Sequence, residues 1–177
     1  MDVAPWEDGP LRALVPLCTR GELKRQGMDY VWVAGIAHHL EAAQSEDFAP
    51  GAHLSLRGEL DNPDDAEAVA VLDAHGSTMA GYVPRSLAVR LKRLTNPSAV
   101  AIGEGRVDGR RVAIAMLVSG EPIELRMEER PRDEVLGYVS LMPPLRLPGV
   151  GNAVDPLEQM ASMAAWLSRR SRRDEDS

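Results

Sequence analysis

The sequence contains one cysteine, Cys18, and only 4% aromatic residues in a chain of 177. A single cysteine excludes an internal disulfide and a zinc site built on several cysteines. Because aromatic side chains are scarce, the 44% of residues that are hydrophobic must build a largely aliphatic core. No apolar run approaches the roughly 20 residues that a membrane-spanning helix needs.

Positive charge is also in short supply. The chain has 20 Lys and Arg residues against 27 Asp and Glu residues, which gives a net charge of -7. Nucleic-acid binding relies on Lys and Arg neutralising phosphates, so the overall balance argues against a general nucleic-acid binder. The acidic start of the chain lacks the basic and apolar regions of a signal peptide, and we expect a soluble, cytoplasmic protein that binds no membrane.

Motifs for catalysis and metal binding are missing as well. The chain has no Gly-x-Ser-x-Gly, no His-Glu-x-x-His and no phosphate-binding Gly-Lys-Ser/Thr loop. His38 and His39 are sequence neighbours and would point about 100° apart on a helix. His53 and His75 have no partners at ligand spacing. We therefore expect no enzyme, no zinc and no other cofactor.

The middle of the chain has the pattern of short strands. Residues 53–59 alternate between apolar and polar, and Asp108-Gly109 between two apolar runs predicts a two-residue hairpin. Pro84 is suited to begin a helix that carries its leucines at helical spacing up to Leu94. This order predicts a mainly β fold with α insertions, a small antiparallel barrel of the oligonucleotide-binding type.

Three regions follow from the same patterns. Residues 1–28 are expected to be an N-terminal extension with a short helix near Leu11 and Leu17, interrupted at Pro16. Residues 29–119 form the barrel. Residues 120–177 form a C-terminal extension with an amphipathic helix at about 156–170 and a disordered, charged end.

The side chains of two aromatic residues are predicted to project from the outer face of the barrel. If Val31 and Val33 face the core, Trp32 faces the opposite way, and the same parity applies to Tyr82. Together the rings could stack nucleic-acid bases, each worth about 1–3 kcal/mol. The alternatives are that Trp32 is covered by a terminal segment and that Tyr82 merely fills the sheet surface.

An acidic turn and a helix start provide polar groups near these rings. Asp64 and Asp65 follow Asn62-Pro63, and such residues often cap their own backbone. One carboxylate could instead accept a hydrogen bond from a ligand hydroxyl, since it would repel phosphate. Arg85 lies in the first turn of the helix after Pro84, where an anion would be favoured.

The chain from Pro84 to Arg111 is locally basic. It carries seven basic residues against two acidic ones, a local charge of about +5. This segment is either a basic patch on an acidic protein or an ordinary solvated face. The basic residues are Arg85, Arg90, Lys92, Arg93, Arg106, Arg110 and Arg111.

In combination, these motifs resemble the HIRAN domain family, in its stand-alone bacterial form. The likeness extends from Tyr30 to about Val118, roughly half of the chain. It rests on four segments: Val33-Ala34-Gly35, Leu54-Ser55-Leu56-Arg57, Asp61-Asn62-Pro63-Asp64-Asp65-Ala66-Glu67-Ala68-Val69-Ala70-Val71, and Gly81-Tyr82-Val83-Pro84-Arg85.

The resemblance implies a β-barrel module that grips the 3′-hydroxyl end of single-stranded DNA. Hydrolase or ATPase activity would belong only to relatives fused to other regions. By position, the end-sensing carboxylate is Asp65, the base-stacking aromatic is Trp32, and Tyr82 and Arg85 flank the pocket, Arg85 as a phosphate contact.

Two positions of this sequence differ from the family relative that grips the 3′-hydroxyl end of DNA. Val31 replaces a basic residue, and Asp64 replaces an aromatic one. The second change puts a further negative charge beside the DNA path, at an electrostatic cost on the order of 1 kcal/mol at an exposed site.

Two hypotheses remain open from the sequence. The first is a non-catalytic nucleic-acid-binding module with a preference for 3′ ends of single-stranded DNA. The alternative is a protein-interaction or assembly module that keeps the barrel and uses its C-terminal helix to bind a protein partner or to self-associate. The apolar stripe of Leu157, Met160, Ala164 and Leu167 motivates the second hypothesis.

Overall fold

The computed structural model describes residues 1–9 and 11–139, and within them the predicted mainly β fold with α insertions is confirmed. The strands are β1 (Asp2–Asp8), β2 (Leu11–Pro16), β3 (Met28–Trp32), β4 (His53–Gly58), β5 (Val69–Asp73), β6 (Met79–Tyr82), β7 (Ser98–Val107), β8 (Arg110–Ser119) and β9 (Arg126–Met127). The helices are α1 (Arg20–Arg25), α2 (Arg85–Leu91) and α3 (Arg132–Val139).

The long strand β7 is the branch point of the sheet. One edge of β7 pairs with β8 along most of its length, and β8 pairs in turn with β3. The other edge is shared, because β4 pairs with the start of β7 and β2 pairs with its end. The pairs in the order β6-β5-β4-β7-β2-β1 are antiparallel, whereas β1 and β9 run parallel.

The predicted barrel is not closed by continuous strand pairing in the part of the chain that the structure describes. Instead, β3 and β6 meet through a single bridge just beyond the end of β3. The Ala34 amide donates to the Tyr82 carbonyl and the Tyr82 amide donates to the Ala34 carbonyl, both at 2.8 Å. This one pair of hydrogen bonds brings β3 against the β5–β6 hairpin.

The strands β7 and β8 are buried on both faces and separate two hydrophobic clusters. Ala99 and Ala101 point into the cluster inside the barrel-like sheet, which also holds Phe48 and the α2 residue Leu87. Ile102, one position further along β7, points into a second cluster on the outer side. Each face is apolar because successive side chains of a strand point to opposite sides.

The N-terminal hairpin and α3 cover the second cluster. The prediction of a short helix near Leu11 is wrong, because this segment is strand β2. Residues Leu11, Ala13 and Val15 are buried while Arg12 is exposed, which is the alternation of a strand and not the spacing of a helix. The hairpin of β1 and β2 is hydrogen-bonded to β7. Pro16 lies opposite Val3 in the ladder with β1, and the amide of Leu17 beyond it still donates to the Asp2 carbonyl at 3.0 Å.

Most of the predicted central elements are confirmed. The hairpin between β7 and β8 turns at Asp108 and Gly109 with positive φ angles of 50° and 75°. Between β3 and β4 the chain forms three separate 3₁₀ turns, at Ile36–His38, Ala42–Gln44 and Glu46–Phe48. The amphipathic helix expected at 156–170 and the charged end lie outside the described residues.

A buried ion pair fastens the segment of 3₁₀ turns to the β7–β8 hairpin. Arg111 and Glu104 are fully buried, and the Arg111 Nε lies 2.6 Å from the Glu104 Oε2. The same guanidinium donates to the carbonyls of Ala43 and Ser45, each at 2.6 Å. Arg106 also donates to Glu104, at 2.9 Å.

Burial alone would raise the pKa of the Glu104 carboxyl. The hydrogen bonds from Arg106 and Arg111, together with their charges, outweigh burial and hold the pKa below its ordinary value of 4.5. A lowered folded-state pKa means that ionised Glu104 stabilises the fold at pH values above 4.5. That contribution is lost as the pH falls through the lower folded-state value.

We predict that Glu104→Gln lowers the free energy of unfolding by about 3–5 kcal/mol at neutral pH, because it leaves buried guanidinium charge uncompensated. The difference in the free energy of unfolding between the variant and the unaltered protein should become smaller only at acidic pH. Urea unfolding at neutral and acidic pH measures both effects. Glu46→Gln is the control, since that carboxylate is 81% exposed and lies 4.0 Å from Arg111. Equal stability of the Glu104 variant and the unaltered protein at neutral pH would contradict the assignment.

Candidate nucleic-acid interface

The acidic turn after β4 is organised by Asn62. Its side-chain oxygen accepts hydrogen bonds from the backbone amides of Asp64, at 3.0 Å, and Asp65, at 3.2 Å. Its side-chain nitrogen donates to the Glu59 carboxylate at 2.9 Å. A side chain that bonds to the backbone two and three residues further on fixes the turn, so Asp65 is held in one place relative to the sheet.

Asp65 divides its two oxygens between local structure and the candidate site. Its Oδ1 accepts from the backbone amide of Glu67 at 2.9 Å, which is the capping role that such turns favour. Its Oδ2 lies 3.6 Å from the Nε of Arg85, at the start of α2. The Asp65 side chain remains 27% exposed, so a ligand can still reach the carboxylate.

A second set of contacts ties the same turn to α2. Lys92 follows the last residue of the helix, and its Nζ lies 3.4 Å from the Glu67 carboxylate. The same ammonium donates to the carbonyl of Ala66. The acidic turn and α2 are therefore joined at both ends of the helix.

Tyr82 joins the acidic turn to the bridge with Ala34. Burial raises the pKa of its hydroxyl first, and the hydrogen bond and charge of Glu59 raise it further. The ring meets His39 edge-on, with centroids 6.0 Å apart. Its hydroxyl is thus held at the acidic turn while its ring lies near the 3₁₀ segment.

The side chain of Trp32 projects from the same outer face of the sheet as that of Tyr82. Val33 is buried in the inner cluster and Ala34 is exposed, which confirms the predicted alternation along this stretch. Because Ala34 pairs directly with Tyr82 and Trp32 precedes Ala34 by two residues, Trp32 and Tyr82 share one face. The small exposed side chain of Ala34 lies between them.

The Trp32 ring is partly covered, which is one of the two alternatives left open for it, and its role in stacking bases stays a prediction. It is half-buried against the second cluster, which includes residues of the N-terminal hairpin, and it meets Tyr30 edge-on with centroids 6.4 Å apart. The structure brings Asp65 and Arg85 into contact and places Tyr82 at the same turn. Trp32 lies on the same face, beyond Ala34.

The locally basic segment is largely neutralised by contacts within the protein. Six of its seven cations have a carboxylate partner, so the excess of positive charge counted along the sequence is not an open basic patch. The pairs are Arg85 with Asp65, Arg90 with Asp29, Lys92 with Glu67, Arg106 with Glu104, Arg110 with Glu41, and Arg111 with Glu104.

The middle of the chain matches a known protein family. The family model described as the HIRAN domain matches residues 26–128, more than half of the protein. The chain belongs to the HIRAN domain family. The match begins just before β3 and ends just after β9, so β1, β2 and α3 lie outside it. The HIRAN family is known for nucleic-acid binding.

Two solved structures are similar to parts of this HIRAN protein. One is a protein from Lactobacillus plantarum, 17% identical, with a TM-score of 0.38 over 51% of this chain and 92% of that chain. The other is the HIRAN domain of human HLTF, 14% identical, with a TM-score of 0.37 over 66% of this chain and 86% of that chain. No curated protein gives a significant match.

Two other kinds of feature are absent from residues 1–9 and 11–139. No group of three or more His, Cys, Asp or Glu residues is arranged to hold a metal ion. None of the helices there combines the length and apolar character that crossing a membrane requires.

Gly81 belongs to one of the four motif segments, but the sequence did not lead us to predict that the Ala34–Tyr82 bridge depends on it. Its φ angle is 150°, and a Cβ at this position would lie 2.4 Å from the Ala34 carbonyl oxygen and 2.9 Å from the Val33 Cγ1. Only glycine allows β6 to approach so closely. The signal was available, because an isolated glycine inside a strand pattern indicates close approach of another backbone.

We predict that Gly81→Ala opens the bridge and lowers the free energy of unfolding by about 2 kcal/mol, from backbone strain and the clash with Ala34. Amide hydrogen exchange at Ala34 and Tyr82 should become faster. The matched control is Gly76→Ala, where φ is also positive, at 71°, but nothing lies within 4 Å of the added Cβ. Unchanged exchange at both bridge amides in the Gly81 variant would show that the bridge does not depend on this glycine.

Proposed function

We propose that this HIRAN protein is a non-catalytic nucleic-acid-binding module that recognises the 3′-hydroxyl end of single-stranded DNA. The observation that carries the proposal is the contact between Asp65 and Arg85 at the turn that holds Tyr82, with Trp32 further along the same face, beyond Ala34. A carboxylate, a cation and two aromatic rings on one face match the groups that a strand end presents: a hydroxyl, a phosphate and bases.

In this proposal Asp65 accepts a hydrogen bond from the terminal hydroxyl. An ionised carboxylate only accepts hydrogen bonds, so it distinguishes a hydroxyl, which donates, from a phosphate, which repels it. Asp65 is suited to the role because its Oδ2 is turned toward Arg85 and away from the backbone. Arg85, whose side chain is 79% exposed, can contact the phosphate of the terminal nucleotide while remaining near Asp65.

Tyr82 and Trp32 would stack the last bases across the exposed surface at Ala34. Stacking does not depend on base identity, because every base has a π face. Tyr82 is held in place at the bridge and at the acidic turn, so little order is lost when a base stacks on it. The proposed site therefore reads the chemistry of an end and not a base sequence.

We predict that a short oligothymidylate with a 3′-hydroxyl binds at least about tenfold more tightly than the same oligomer with a 3′-phosphate. The terminal phosphate removes a hydrogen bond to a charged group, worth about 1.5–3 kcal/mol, and adds repulsion. Asp65→Asn should abolish most of this difference. Fluorescence anisotropy with oligomers labelled at the 5′ end measures both affinities.

The control is Asp108→Asn, which changes the net charge equally but lies at the β7–β8 turn. Asparagine tolerates the positive φ of 50° found there. This variant should keep the full preference for the 3′-hydroxyl. Equal affinity of the unaltered protein for both ends would remove Asp65 from the proposed role, and no binding of either oligomer would contradict the proposed function itself.

A further inference from the structure

Arg57 shares the outer face of the sheet with Tyr82. Its Cα pairs with Ala70 of β5, and Ala70 pairs on its other side with Tyr82 of β6. Directly paired residues on neighbouring antiparallel strands project from the same face. Two strand spacings of about 4.8 Å put the Arg57 and Tyr82 backbones roughly 10 Å apart. Ala70, the residue between them, is small and fully buried.

The charge of Arg57 is not used within the described part of the chain. The residue is exposed, and no hydrogen bond or ion pair joins it to residues 1–9 or 11–139. The charge of Arg85, by contrast, is partly neutralised by Asp65, whose Oδ2 lies 3.6 Å from the Arg85 Nε. The cation nearest to Tyr82 along the paired strands is therefore better placed to gain from a phosphate than the cation already beside a carboxylate.

The carboxylate on the same edge of the sheet is already engaged. Glu59 lies two residues after Arg57, so the two side chains point to the same side of the extended chain. Its Oε2 accepts from the Asn62 side chain at 2.9 Å, and its charge acts on the Tyr82 hydroxyl. Glu59 thus belongs to the Asn62 and Tyr82 cluster, and Arg57 remains directed to solvent beyond it.

We propose that Arg57 is a further ligand-binding residue, which holds the phosphodiester next to the terminal nucleotide as the strand leaves Tyr82 across β5 toward β4. This inference rests on the proposed function, because it needs a strand end seated at Asp65 and Tyr82. It gives the strand a direction over the sheet. It also adds an arginine of β4 to Arg85 of α2 as a source of salt-dependent affinity.

The test compares Arg57→Gln, Arg57→Lys and Arg110→Gln. Arg110 is a matched control, because it is an exposed arginine whose partner is Glu41, near the far hairpin turn. Binding of a 3′-hydroxyl oligothymidylate is measured by anisotropy between about 50 and 200 mM salt. Circular dichroism of each variant establishes that it is folded.

We expect Arg57→Gln to weaken binding about tenfold at low salt and to reduce the slope of log affinity against log salt by about 0.7, the value for one contact to a single strand. Arg57→Lys should keep the slope, since it keeps the charge. Arg110→Gln should change neither quantity appreciably.

An unchanged slope in folded Arg57→Gln, or a loss no larger than that of Arg110→Gln, would overturn the inference while leaving the proposed function intact. If the unaltered protein binds no oligomer at any salt concentration, the proposed function fails and this inference falls with it. Loss of binding in Arg57→Gln without a change of slope would also contradict a phosphate contact.

Discussion

The candidate site depends on one pair of hydrogen bonds, between Ala34 and Tyr82. Without this bridge, β3 and β6 would be the unpaired ends of an open sheet, and Trp32 and Tyr82 would have no fixed relation. The bridge requires glycine at position 81, because any side chain there would meet the Ala34 carbonyl. A backbone requirement at one residue thus decides whether the two rings share a surface.

The interior of the molecule reinforces this arrangement through β7 and β8. Their alternating side chains supply two hydrophobic clusters, one inside the barrel-like sheet and one beneath the N-terminal hairpin and α3. At the far end of the same two strands, Glu104 and Arg111 fasten the segment of 3₁₀ turns that carries His39, whose ring meets Tyr82. The clusters, the buried ion pair and the site are therefore parts of one connected framework.

The sequence predicted those elements whose signals are local. Asp108-Gly109 requires positive φ angles that few other pairs adopt, and Pro84 has a fixed φ suited to a helix start. The N-terminal hairpin was missed, because Leu11 to Val15 is short and its alternation was outweighed by leucine content. The uninterrupted apolar run in β8 is the signal that could have revealed burial on both faces, and therefore a second layer, which the N-terminal hairpin and α3 supply.

Within the candidate site, residue types were predictable but charge pairing was not. Parity along β3 and β6 gave the outward rings of Trp32 and Tyr82. Counting charges from residue 84 to 111 suggested a basic patch, yet pairing depends on which distant carboxylates the fold brings near. Asp65 was expected in the same pocket as Arg85, but not as its ion-pair partner. Glu67 and Glu41 come from other parts of the chain, and sequence spacing alone gave no indication that they pair with Lys92 and Arg110.

The central claim is that a strand end binds on the outer face beside the Ala34–Tyr82 bridge. The most direct measurement is a backbone-amide NMR titration of the protein with an oligothymidylate that carries a free 3′-hydroxyl. The account predicts that the largest shift changes fall within residues 32–35, 57–65 and 81–85. Changes centred instead on β1 and α3, or no changes at all at saturating oligonucleotide, would contradict it.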